Sequence, residues 1–269
     1  MDLDKYNSEL EDSFSKEFED KCEVVVNYLK DKIKDETFEE SLEDSSVCDV
    51  YTNMNGYIYN FYEKELLEAF KKVNYDIEKY KLSYLDGFIL SKIRNSDNVY
   101  FLYNFLQSKN IIDEVYEFED GSTEIHSKDF GVITFFGARD QFLDEKKFIK
   151  KLDKYGDDII ELCHAVTFDA LEYFKDDFKA VTGILTRSLD EKYIHSFILD
   201  PNGYVLDFAN DIIMDKDTYY LINDVKELNV VNYDECIEQE KESIKYDSSK
   251  TLYTLLRNAL YKKYLEESK

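Results

Sequence analysis

The chain has one proline, eight glycines and no tryptophan among its 269 residues. So little proline and glycine leaves no room for a flexible linker between domains. Four cysteines, Cys22, Cys48, Cys163 and Cys236, lie far apart and form no C-x-x-C pair. That spacing argues against a zinc knuckle and a disulfide framework alike, and reduced thiols are expected. Positive charge is scarce too: 34 Lys and Arg against 59 Asp and Glu give a net charge of −25. An excess of this size repels nucleic acid and anionic membrane surfaces, so direct nucleic-acid binding is not expected. No apolar run reaches the roughly 20 residues that span a bilayer. Met1 is followed by Asp2, Asp4 and Glu9 rather than by a hydrophobic leader. The expectation is a cytoplasmic protein with no membrane contact.

What the chain does have is 43% hydrophobic residues, with 23 Tyr and 19 Phe, enough to bury a core. The first 50 residues hold 17 acidic and 6 basic side chains. They read as an acidic helical flank whose Val24, Val25, Tyr28, Leu29 and Ile33 recur at helical spacing. Ile58, Tyr62, Leu66, Ala69, Phe70 and Val73 follow a three-four pattern, and a further helix is expected near Val99 to Leu106. Without interleaved basic residues, the aromatic stripes at 57–62 and 100–105 read as core rather than as base-stacking platforms. From Val115 the period becomes two, Asp120-Gly121 supplies a turn, and Val132 to Phe136 reads as a third strand. The expected division is residues 1–110, an acidic helical region, and residues 111–269, an α+β domain. That domain would have a small antiparallel sheet, a short strand at Leu228 to Val231, an acidic helix at Tyr233 to Ile244 and a closing helix. Ser248 or Ser249 would cap the closing helix, Leu252 would join its apolar face, and Lys262 and Lys263 would end it.

Chemistry concentrates between Leu162 and Asn210. A helix carries Cys163; two strands follow, the second with His195; then Asp200-Pro201-Asn202-Gly203 turns the chain into a strand carrying Asp207. Proline at the second turn position and glycine at the fourth predict a three-residue hairpin loop. Residue 200 then pairs with 204, Asp207 falls opposite Phe197, and His195 opposite Ala209. All four share one face, because strand side chains alternate. His195 and Asp207 become diagonal neighbours within reach of a carboxylate–imidazole bond. Without it, each would be costly to bury in these apolar strands. Asp158 with Glu161 has the spacing of a capping box, which would start the helix early and place Cys163 more than a turn inside it.

Cys163 on a helix, His195 on a strand 32 residues later and Asp207 on the next strand 12 residues further on resemble the papain-like and transglutaminase-like cysteine hydrolases and transferases. The resemblance implies a Cys-bearing helix packed on a small antiparallel sheet, with Cys163 as nucleophile, His195 as base and Asp207 as orienting carboxylate. It implies a peptide, protein or small acyl substrate and no cofactor. For the oxyanion or pocket, Gln141 and His164 are the candidate side chains. His164, beside Cys163, is expected at the helix surface or the pocket rim. His126, His164 and His195 show no metal-ligand spacing, and the glycines form no phosphate loop. A rival reading is a non-catalytic acidic protein that engages a basic partner, as a nucleic-acid mimic would.

Overall fold

The structure, a computed structural model, describes residues 2–43, 45–95, 98–156, 159, 161–175, 177–245 and 254–269. Six helices open it: α1 (Leu3–Lys32), α2 (Glu36–Ser41), α3 (Val47–Phe61), α4 (Glu63–Lys72), α5 (Ile77–Ile93) and α6 (Val99–Ser108). Strands β1 (Glu114–Glu117), β2 (Thr123–Ser127) and β3 (Gly131–Phe136) follow, then α7 (Ala138–Gln141), α8 (Lys146–Asp153) and α9 (Cys163–Phe174). After them come β4 (Lys179–Thr186), β5 (Lys192–Leu199), β6 (Tyr204–Asp207) and β7 (Ile212–Asp215). The chain closes with α10 (Lys216–Asn223), β8 (Lys226–Val231), α11 (Tyr233–Ile244) and α12 (Thr254–Glu267). The class is α+β.

The chain divides into two compact units, but not near residue 110 as the change of period led one to expect. One unit comprises Met1–Ser8, Leu85–Leu185 and Tyr193–Lys269; the other comprises Glu9–Tyr84 and Thr186–Lys192. The division falls inside α5, a continuous helix, which is why no linker composition marks it.

The sheet of the first unit has eight strands in the order β1-β2-β3-β7-β6-β5-β4-β8, larger than the small sheet expected. The enlargement comes from β7. It pairs antiparallel with β6, Asp207 opposite Ile212, and with β3, Phe136 opposite Ile213, so the first hairpin and the Asp207 hairpin share one sheet. The first hairpin pairs Glu117 with Thr123. One core cluster joins α9, through Val166, Ala170 and Leu171, to Ala180 of β4, Ile198 of β5, Leu206 of β6 and Phe208. The final helix runs on to Glu267, so Lys262 and Lys263 do not lie in its last turn; Lys263 pairs with Glu267 at 3.3 Å. Its expected start, Ser248, Ser249 and Leu252, lies outside the described residues.

In the helical unit the buried stripe of α1 is Cys22, Val25, Val26 and Leu29, with Ile33 buried just past its end, while Val24 is 44% exposed. Successive helix positions turn by about 100°, so three consecutive valines cannot all face inward. The helix read across Gly56 to Val73 is two helices, broken at Tyr62 (φ −134°, ψ 38°). The Tyr62 hydroxyl donates to the Asp35 carboxylate at 2.7 Å, and Asp35 caps α2 by accepting the Phe38 N–H at 3.1 Å. The β4–β5 connection belongs to this unit: Ser188 Oγ meets Tyr51 Oη at 2.8 Å, and Asp190 pairs with Lys21 and Lys79, both at 2.9 Å. The aromatic stripes are not all core: Phe61, Tyr100 and Phe101 are exposed, whereas Tyr59 and Phe105 are buried.

Candidate active site

The turn between β5 and β6 is built by its own side chains. Asp200 accepts the backbone N–H of Asn202 at 2.9 Å and of Tyr204 at 2.7 Å. Gly203 takes φ +90°, a region that penalises any residue with a Cβ. The strands pair Ile198 with Leu206 and Leu199 with Val205, the register the turn predicts. His195 Nε2 donates to Asp207 Oδ2 at 2.8 Å, with His195 3% and Asp207 0% exposed. The expected pairing of His195 with Ala209 does not form, because β6 ends at Asp207 and the chain turns toward β7 through Asp211 at φ +59°.

That turn supplies a residue the sequence reading missed. Asn210 donates its side-chain N–H to Asp207 Oδ2 at 2.8 Å and its backbone N–H to Oδ1 at 3.1 Å. Its own Oδ1 accepts from Arg94 Nη2 at 3.1 Å, which fixes the amide with nitrogen toward the carboxylate. A second missed residue, Tyr219 of α10, donates its hydroxyl to Asp207 Oδ2 at 2.8 Å and is fully buried. Asp207 thus collects four donors. Burial would raise its pKa; the His195 charge and the bonds from His195, Asn210 and Tyr219 outweigh burial and hold it below the ordinary carboxylate range.

Cys163 is the first residue of α9, not an interior one. Leu162 occupies the N-cap position with no side-chain cap, Val166 N–H bonds Leu162 O at 3.0 Å, and Asp158 of the expected capping box lies outside the described residues. A thiol at this position sits in the positive field of the helix terminus, and its backbone N–H has no partner inside the helix. Cys163 is 6% exposed. Burial pushes its thiol up; the His195 charge, with hydrogen bonds from His164 and His195, overcomes that and brings it down to about 5. His195 is the mirror case. Burial lowers its pKa, but the charges of Asp207 and Cys163 raise it to about 10. Both shifts favour the thiolate–imidazolium form of the pair. With Nε2 committed to Asp207, Nδ1 is the ring nitrogen left for the sulfur.

His164 is not on the surface. It is 7% exposed, and its Nδ1 lies 2.8 Å from Ser196 Oγ, inside a buried polar group that includes Thr182 and Thr167. Its neighbour Cys163 engages His195 while His164 engages Ser196, so adjacent helix residues meet adjacent strand residues. Gln141 is exposed at the end of α7, with Nε2 beside Gly121 in the β1–β2 turn. His126 lies on β2 with its ring 3.3 Å from Glu124. Among the described residues no group of three His, Cys, Asp or Glu is placed to hold a metal, and no helix is long and apolar enough to cross a membrane. A cavity of about 340 Å³ lined by Phe88, Tyr100, Tyr103 and Val115 contains none of Cys163, His195 and Asp207.

Comparison with known protein families, with characterised proteins and with solved structures gives no match. What the site can do therefore follows from its geometry.

Proposed function

We propose that the chain is a cysteine hydrolase or acyltransferase of the papain-like and transglutaminase-like kind, acting on an amide or acyl substrate through Cys163, His195 and Asp207. The observation that carries this reading is the buried contact of thiol, imidazole and carboxylate, with the thiol held far below its ordinary value. A purely structural core gains little from such a group. Buried ion pairs are often matched or exceeded in stability by packed apolar residues of similar volume.

The chemistry follows from the charges. The Cys163 thiolate attacks the substrate carbonyl carbon, and the carbonyl electron pair moves to its oxygen. As that tetrahedral adduct collapses, the bond to the leaving group breaks and His195 gives it the Nδ1 proton, leaving a thioester on Cys163. Water or another acceptor then surrenders a proton to His195 and attacks the thioester, which restores the thiol pair. Asp207 stays ionised throughout and keeps the imidazole oriented. The Cys163 N–H at the start of α9 is a main-chain donor suited to the developing oxyanion.

Incubation with p-nitrophenyl acetate tests this directly. A burst of nitrophenol close to one equivalent is expected, with the acetyl group found on Cys163 by mass spectrometry. Cys163→Ala and His195→Ala should abolish the burst. Absence of a burst and of any acetyl-Cys163 in the intact protein would refute the proposal.

A further inference from the structure

His164 has no task in the triad, yet it follows Cys163 directly, is buried, and has its ring held by the Ser196 hydroxyl. Ser196 Oγ lies 2.8 Å from His164 Nδ1 and 2.7 Å from Thr182 Oγ1. Thr167 Oγ1 donates to the Ser196 carbonyl at 2.9 Å, which ties α9 to β5 at this point. Thr182 and Ser196 are 1% and 0% exposed, so each hydroxyl proton needs a partner inside the protein. Ser196 is the partner of Thr182. The Thr182 hydroxyl therefore donates to Ser196, and the Ser196 hydroxyl, already an acceptor there, donates to His164 Nδ1. With Nδ1 accepting, the ring proton of His164 sits on Nε2. The reverse polarity would leave the Thr182 proton buried without an acceptor. The His164 side chain also acts on the Cys163 thiol, lowering its pKa.

We propose that His164 is a second catalytic histidine, whose Nε2–H donates to the Cys163 thiolate at rest and to the substrate oxyanion during acylation. This rests on the acyl-transfer reading above. When the S–C bond forms, the negative charge leaves sulfur for the carbonyl oxygen on the same carbon. A donor that faced the thiolate loses its charged partner and finds another one atom further on. Thr182, Ser196 and Thr167 act as positioning residues that fix the tautomer and the ring. Together with the Cys163 N–H at the helix start, His164 makes a two-donor oxyanion site.

Alkylation by iodoacetamide forms no oxyanion, whereas acylation by p-nitrophenyl acetate does, so the two reagents separate this role from thiol activation. His164→Ala should slow acylation by about 100-fold, the loss typical of one oxyanion donor, while the plateau rate of alkylation stays within about threefold. His164→Gln, which places an N–H near the Nε2 position, should recover acylation to within about tenfold of the parent. Ser196→Ala, which frees the tautomer, should slow acylation at least about fivefold with the alkylation plateau unchanged. It decides the matter on its own if His164→Ala does not fold. Equal loss of both reactions in the His164 variants, or acylation unchanged in Ser196→Ala, would overturn the proposal. A parent protein that is alkylated at Cys163 but never acylated would instead refute the acyl-transfer reading itself.

Discussion

Asp207 holds the charges of the site together. A fully buried carboxylate is tolerated here because His195, Asn210 and Tyr219 supply four donors, three of them to Oδ2. Asp207→Asn turns an acceptor of several N–H and O–H groups into a partial donor and releases the His195 ring. It should lower acylation by about 10³- to 10⁴-fold with Cys163 still in place, measured by the nitrophenol burst. Tyr219→Phe removes one donor and should cost about 1–2 kcal/mol of stability in a denaturant titration, while Cys163 remains the first thiol labelled. The pH signs follow from the same contacts. Cys163 is lowered to about 5, so its stabilising contribution is present above the ordinary thiol range and is lost as pH falls through about 5. His195 is raised to about 10, so its contribution is whole below the ordinary histidine range and is lost as pH rises through about 10. The alkylation rate of Cys163 should accordingly climb through a midpoint near 5, stay level across neutral pH, and step again near 10 where the imidazolium proton leaves.

At the scale of the elements, the β5–β6 hairpin does most of the positioning. Its turn lies at the far end of the strands from His195, so Gly203→Ala, at φ +90°, should cost on the order of 1 kcal/mol in thermal or denaturant stability. The pH profile of Cys163 should not move. This hairpin was legible in the sequence because Asp-Pro-Asn-Gly determines its own conformation and thereby the register of its neighbours. The helix start at Cys163 was less legible. Leu162 is a poor cap, and the contacts that set the boundary are tertiary: Leu162 packs on the core cluster and His164 bonds Ser196. Asn210 and Tyr219 were not found because their roles depend on β7 and α10, which a short Ile-Ile-Met run and one Asp cap announce only weakly. Asn210 carried one usable signal, a turn residue just past a buried strand. Tyr219 carried none among 23 tyrosines.

For the whole molecule, the charge of −25 and the acid-rich first 50 residues offer the rival explanation, engagement of a basic partner. Such binding would weaken steeply with salt, because exposed charges are screened over about 8 Å at physiological ionic strength. A buried thiolate–imidazolium pair is screened far less, and the neutral-pH alkylation rate of Cys163 should change by less than about twofold between low and high salt. Exposure and ionisation also make opposite forecasts for the four thiols. Cys22 and Cys236 are fully buried with their thiols pushed up, first by burial, Cys236 to about 12. Cys48 is half-buried, more open than Cys163, and its thiol is also raised, first by burial. The most direct measurement is therefore a competition: brief iodoacetamide treatment of the folded protein at about pH 6, where an ordinary thiol is almost wholly protonated, followed by peptide mass spectrometry. Cys163 should be labelled well ahead of Cys48, and His195→Ala should remove that preference. Labelling of Cys48 first, with Cys163 following only as the pH approaches the ordinary thiol range, would contradict an activated Cys163.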